Sequence, residues 1–132
     1  MAKLFIHITS GPELPNKVSL GLLVAAASDK EKHDVKVFFA ADGVHLLNCK
    51  EKGQIVGLGT GDIKDHLDEL KNSQTKIYVS RLSANGRGYD ESLLEGYNAE
   101  FATPEMLVNF SLDADSVPVS YTHLTLPTNR EV

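Results

Sequence analysis

Short runs of bulky apolar residues alternate along this chain with segments in which apolar positions recur every three or four residues. Runs of the first kind, bounded by turn residues, predict strands buried in a sheet. Four of them are Lys3–Ile8, Asp34–Phe39, Lys76–Ser80 and Ala99–Ala102. Val117–Ser120 predicts a fifth strand, and Pro118 places it at a sheet edge because proline cannot donate a ladder hydrogen bond.

Helical spacing of apolar residues predicts the segments between the strands. After the first strand, one helix face is formed by Val18, Leu22, Ala25 and Ala26. Further short helices are predicted over Val44–Lys50, Ile63–Leu70 behind a capping Asp62, Asp90–Leu94, and Met106–Leu112 behind Thr103-Pro104. Arg81–Tyr89 is predicted to be a polar loop. Glycine-rich Gly53–Gly61 is predicted to be a flexible flap over the crevice at the carboxyl ends of the strands, with Ile55 and Leu58 as its apolar contacts.

The order of these elements predicts the fold class. A strand, a helix and a second strand of this length imply a parallel pair joined by a right-handed crossover. Since 132 residues suit one domain, we expect a single α/β domain over residues 1–119, built on an open, mainly parallel five-stranded sheet. Residues 120–132 lack periodicity and resemble a translated library adaptor, so we expect a non-native or disordered tail; the alternative is an ordinary C-terminal tail.

Composition narrows the function classes. The formal net charge of -5 leaves no basic field for a nucleic acid. The longest apolar stretch, Leu20–Ala27, is too short to cross a membrane. A single cysteine, Cys49, cannot form an internal disulfide, which favours the cytoplasm. The histidines lack metal-site spacing and Gly53–Gly61 lacks a nucleotide-binding fingerprint, so we expect neither a metal nor a cofactor.

Three stretches carry a resemblance to a known family: KLFIHITSGPELPNKVSLGLLVAAA, VKVFFAADGVHLL and KIYVSRLSANGRG. In this order and spacing they resemble the DsrE/DsrF-like family of small α/β proteins related to intracellular sulfur-relay subunits. The resemblance covers roughly residues 3–119. It implies a three-layer α/β/α arrangement, with helices on both faces of the sheet, and a homotrimer or homohexamer.

The resemblance also bears on sulfur chemistry. In sulfur-transferring members a cysteine near the end of the fourth strand carries a persulfide, and the matching position here is Ser80. A serine hydroxyl is barely ionised near neutral pH and cannot hold a persulfide. We therefore expect an accessory protein rather than an enzyme. The alternative is a sulfurtransferase or thiol-dependent enzyme that uses Cys49, whose thiol has Lys50 beside it; a lone cysteine is otherwise an inert small residue.

Ligands of open α/β sheets bind beyond the carboxyl ends of the strands. The candidate ligand-binding residues there are Ser10, Gly11, Asp42, Gly43, Ser80, Arg81, Asn85 and Arg87. They suit a small anion, a thiol compound or a protein partner. Arg81 and Arg87 either clamp an anion or pair with acidic residues of a neighbouring subunit. Asp42 either orients such an arginine, acts as a base or is a turn residue.

Further choices at this edge stay open. The two glycines, Gly11 and Gly43, either let backbone approach a ligand or supply turn geometry. His66 is predicted to lie on a solvated helix face, and His7 to be a satisfied histidine within the sheet.

Overall fold

A four-stranded parallel sheet forms the centre of the computed structural model, which describes residues 1–49 and 55–118. Its strands are β1 (Lys3–Ile8), β2 (Asp34–Phe39), β5 (Lys76–Ser80) and β6 (Ala99–Ala102), and they lie side by side in that order. The central register places Val37 opposite Ile77. Strands β3 (Val56–Gly57) and β4 (Gly61–Asp62) form a separate antiparallel hairpin.

The helices are α1 (Pro15–Lys30), α2 (Ile63–Lys71), α3 (Arg81–Gly86) and α4 (Pro104–Asp113), with 3₁₀ helices over Ala41–Cys49 and Glu91–Leu94. Their starts follow local rules. Pro15 and Pro104 occupy first-turn positions, where a missing N–H costs nothing. Asp62 accepts a hydrogen bond from the backbone N–H of Lys64 and so caps α2, as predicted. No helix among residues 1–49 and 55–118 is long and apolar enough to cross a membrane.

Two apolar layers cover the two faces of the sheet. The larger contains the predicted face of α1 with α2 and both 3₁₀ helices, packed on alternate strand residues such as Ile6, Val37 and Val79. The smaller contains Phe5 and Phe38 beneath α4. This confirms the α/β class and the three layers. Alternation of side chains along each strand sends neighbouring residues to opposite faces, which is why both layers draw on the same strands.

The predicted number of five strands is wrong for the described residues, where the main sheet has four. At the outer edge of β1, the segment after α4 forms only an isolated parallel bridge, between Leu4 and Ser116. Pro118 cannot extend that ladder from its own nitrogen, in agreement with the edge position predicted for this segment. Residues 119–132, with the expectations for the tail, lie outside the described residues.

The predicted polar loop over Arg81–Tyr89 is also wrong, because its first part is the helix α3. Ser80 caps this helix by accepting a hydrogen bond from the N–H of Ser83 at 3.1 Å. Only Ala84 of α3 is buried, so the segment has no apolar periodicity to reveal a helix. The glycine-rich stretch contributes the β3–β4 hairpin. Ile55 packs on the core as predicted, but Leu58 is 90 % exposed and makes no such contact.

Candidate functional site

The carboxyl ends of the four parallel strands bring three polar segments to one edge of the sheet. Residues 9–11 follow β1, residues 40–43 follow β2 and residues 80–87 follow β5. The topology singles out one position along this edge. The chain after β5 packs on the face of the sheet that α1 covers, whereas α4 after β6 packs on the other face. In open α/β sheets, ligands bind where the connections after two adjacent strands lead to opposite faces of the sheet. In this sheet that position is beside Ser80.

Arg87 and Asp42 meet at this edge. The Arg87 guanidinium donates from Nη2 to Asp42 Oδ1 at 3.0 Å and from Nε to the same oxygen at 3.3 Å. Its Nη1 donates to the backbone carbonyl of Ser83 at 3.1 Å. Asp42 therefore orients the arginine, which is one of the roles predicted for it. The pair is partly exposed, with 30 % of the Arg87 side chain accessible.

Ser83 connects the ends of β2 and β5. Its hydroxyl accepts a hydrogen bond from the backbone N–H of Ala41 at 2.9 Å, and its own N–H donates to Ser80. Ala41 has a φ of 50°, a left-handed conformation that costs a residue with a Cβ about 1–2 kcal/mol. The hydrogen bond to Ser83 helps to hold this strained residue, which starts the 3₁₀ helix and places Asp42.

Arg81 and Arg87 lie on different flanks of α3 and do not form one clamp. The Arg81 guanidinium lies 4.7 Å from the ring centroid of Phe101 on β6, a cation–π distance. Arg87 instead contacts the 3₁₀ helix after β2. Asn85 is exposed on the short helix between them. The predicted joint action of the two arginines is therefore not supported within one chain.

Gly11 and Gly43 are required by close packing of backbone. A Cβ on Gly43 would lie 2.3 Å from the carbonyl oxygen of Ile8, and a Cβ on Gly11 would lie 2.6 Å from the carbonyl oxygen of Asp42. Neither glycine has a positive φ. Their role is thus to let the ends of β1 and β2 touch. Ser10, which precedes Gly11, is buried.

The pair of His45 and Tyr89 was missed by the sequence analysis. His45 Nδ1 lies 2.6 Å from the Tyr89 hydroxyl, and the rings meet edge to face at 5.5 Å. A 3₁₀ helix has three residues per turn, so His45 stands on the same face as Asp42. Both side chains on that face contact the 87–89 segment, Asp42 through Arg87 and His45 through Tyr89. Knowledge of the 3₁₀ geometry would have grouped Asp42 with His45, but no local signal identifies Tyr89 as the partner.

Two histidine predictions are wrong. His66 is only 7 % exposed, and its Nε2 lies 2.7 Å from the carbonyl oxygen of Thr60, because the β3–β4 hairpin covers this side of α2. His7 Nε2 is buried without a hydrogen-bond partner among the described residues. The His7 ring packs instead against Phe5 and edge-on to Phe38. Burial lowers the pKa of His7 from its ordinary value, since the charged imidazolium loses its hydration.

Cys49 is the last residue of the first 3₁₀ helix, as predicted, and its side chain lies outside the described part of the structure. The expectations for its thiol therefore remain predictions. No group of three or more histidine, cysteine, aspartate or glutamate residues within the described ranges could hold a metal ion. What the described edge offers is hydrogen-bond donors and one partly satisfied arginine.

Comparisons with known proteins agree with this architecture. The YchN protein from E. coli, known from a crystal structure, superposes with a TM-score of 0.70 at 24% sequence identity. The alignment covers 89% of this chain and 97% of that one, which shows a shared fold. No curated protein matches the chain significantly. The model of the DsrE/DsrF-like family matches residues 2–117. Because this match spans most of the sequence, the chain belongs to the DsrE/DsrF-like family.

Proposed function

We propose that this chain is an accessory protein of the sulfur-relay type that lacks the family's sulfur-carrier cysteine and binds a small anion at the carboxyl edge of its sheet. The observation that carries the proposal is the arrangement of Arg87. Three of the five guanidinium N–H groups are used on Asp42 and Ser83, which leaves two for a ligand. The arginine is thus held in place and still able to donate, as recognition of an oxyanion requires.

Ser80 supports a binding role over a sulfur-carrying one. Its oxygen already accepts the N–H of Ser83, and its hydroxyl proton has no acceptor among residues 1–49 and 55–118, so it can be donated to a ligand. A hydroxyl in this position can hydrogen-bond an anion, whereas it cannot form a persulfide. Arginine, serine and the exposed amide of Asn85 together favour a small oxyanion, a class that includes sulfur oxyanions.

Asp42 competes with the anion for Arg87. Its carboxylate neutralises Arg87, so an incoming anion meets a compensated charge. In Asp42→Asn the amide oxygen can still accept from Arg87 while the negative charge is gone. We expect the variant to bind anions more tightly than the natural sequence does.

Isothermal titration with thiosulfate tests this role. Arg87→Gln is expected to weaken binding at least fivefold and Asp42→Asn to strengthen it, while the matched control Arg81→Gln leaves it unchanged. Equal affinities in the natural sequence and Arg87→Gln would refute the role of Arg87. A loss in Arg81→Gln as large as in Arg87→Gln would show a nonspecific effect of net charge.

The competing enzyme hypothesis uses Cys49. In that reaction the Cys49 thiolate attacks the outer sulfur of a persulfide donor and the sulfur–sulfur bond of the donor breaks. The rest of the donor leaves as a thiolate and takes up a proton. Mass spectrometry after incubation with a low-molecular-weight persulfide would then find one added sulfur atom on Cys49, and none in Cys49→Ser. That result would overturn the accessory role.

Self-association is part of the proposal. Family membership supports a homotrimer or homohexamer, in which Arg81, exposed on α3, could face acidic residues of another copy. Light scattering coupled to size exclusion measures the mass directly. A monomer at micromolar concentration would contradict this part of the proposal without affecting the anion site.

A further inference from the structure

A cavity lies at the amino ends of the strands, at the opposite edge of the sheet from the site above. It has a volume of about 630 Å³ and opens to solvent. Its lining includes Asp29, Lys32, His33, Asp34, Asn72 and Gln74. These residues come from the ends of α1 and α2 and from the start of β2. The volume is in the range of small-molecule sites, and the charged and polar side chains of the lining, beside apolar Met1 and Val35, suit a small polar ligand.

Two of the lining side chains are held in fixed orientations by groups behind them. The Asp29 carboxylate accepts at Oδ1 from the hydroxyl of Thr75 at 3.1 Å, and Thr75 is 1 % exposed. His33 Nδ1 accepts the backbone N–H of Ala2 at 3.0 Å. The neutral His33 ring must therefore carry its proton on Nε2, which makes that nitrogen a donor. Asp29 keeps its second oxygen as an acceptor.

Lys32 is the left-handed residue of the turn that ends α1, in which its N–H donates to the carbonyl oxygen of Asp29 at 2.9 Å and the N–H of His33 donates to that of Ser28 at 3.1 Å. It has a φ of 66° directly after α1, where glycine is the usual residue. A lysine here costs conformational energy and brings an ammonium group to the rim of the cavity.

The cavity combines charges of both signs. The carboxyl-terminal ends of α1 and α2 both meet it, and the partial negative charge of helix ends favours a cation, as do Asp29 and Asp34. Lys32 and the His33 Nε2–H group favour an anion. We propose that this cavity binds a small zwitterion of the amino-acid or short-peptide type, its ammonium group toward the two aspartates and its carboxylate toward Lys32 and His33.

The test is titration of the isotopically labelled full chain with glycine, glycylglycine and triglycine, followed by amide chemical shifts. The series varies the separation between the two charges. We expect saturable shifts at residues 29–34 and 72–74 for at least one member, with acetate and methylammonium binding at least tenfold more weakly. Absence of saturation for all three compounds at about 50 mM, a concentration roughly fiftyfold above a dissociation constant of 1 mM, would overturn the proposal.

Two variants separate binding from folding. Asp29→Asn retains an oxygen for Thr75 and loses the charge, so affinity should fall at least fivefold with the fold intact. Lys32→Gly should raise the thermal midpoint, because the strain is relieved, and still weaken binding at least fivefold. The matched control is Lys30→Gln, whose lysine pairs with Glu69 at 3.0 Å and does not line the cavity. Unchanged affinity in both Asp29→Asn and Lys32→Gly would refute the assignment.

Discussion

Gly43→Ala should destabilise the protein by about 3 kcal/mol through one backbone contact. The added Cβ would lie 2.3 Å from the carbonyl oxygen of Ile8, so one of the two backbones must move. Overfilling a packed site costs about 1–3 kcal/mol. The same Ile8 oxygen accepts the N–H of Ala40 at 3.0 Å, and loss of that hydrogen bond adds about 1 kcal/mol. The total is a large part of the ~5–15 kcal/mol that stabilises a typical domain.

Urea unfolding followed by far-ultraviolet circular dichroism measures this change as a lower midpoint at constant slope. Gly86→Ala is the matched control. Its Cβ would meet nothing within 4 Å, and Gly86 has no positive φ, so stability should stay equal or rise slightly. A loss below about 0.5 kcal/mol in Gly43→Ala, comparable with an ordinary surface substitution, would show that the two strand ends do not touch as described.

Three further outcomes follow from individual contacts. Burial lowers the pKa of His7, so this residue binds its proton at a lower pH in the folded state than in the unfolded state. It therefore contributes to the stability that the protein loses as the pH falls from about 6.5 through the folded-state pKa of His7. His7→Phe should therefore shrink the drop in urea midpoint between about pH 7 and pH 5, and an unchanged drop would contradict the burial of this ring. Ser80→Cys, made together with Cys49→Ser, should place a thiol where the N–H of Ser83 points. Its alkylation by iodoacetamide near neutral pH should be faster than that of free cysteine, because this N–H stabilises the thiolate. A slower reaction would show that the start of α3 does not stabilise a thiolate. Asp62→Ala removes the cap of α2 and should cost about 1 kcal/mol in urea unfolding, whereas a neutral result would mean that solvent replaces the cap without loss.

Local sequence signals predicted most elements because their physics is local. Three predicted strands coincide with the observed ones, because a short apolar run between turn residues is typical of a buried strand. They are Lys3–Ile8, Asp34–Phe39 and Lys76–Ser80. The start of α4 was predicted from Thr103 and Pro104 for the same reason. The helix α3 was missed, as it buries one residue and its only signal is a serine cap.

At the candidate site, the sequence selected Asp42, Ser80 and Arg87 because strand ends are predictable and parallel strands end at one edge. It did not decide which arginine meets which partner. Arg87 and Asp42 are 45 positions apart, and His45 and Tyr89 are 44 apart. Such pairs depend on strand order and register, which no neighbouring residue encodes.

What the sequence by itself determined is thus the class of fold, the edge of the sheet that collects the candidate residues, and the presence of a serine at position 80. The tertiary structure alone decided that Asp42 pairs with Arg87, that Arg81 lies over the ring of Phe101, and that a cavity opens beside Asp29. The reason is physical: periodicity and capping act over a few residues, whereas charge pairing and cavity shape arise only when distant segments pack together.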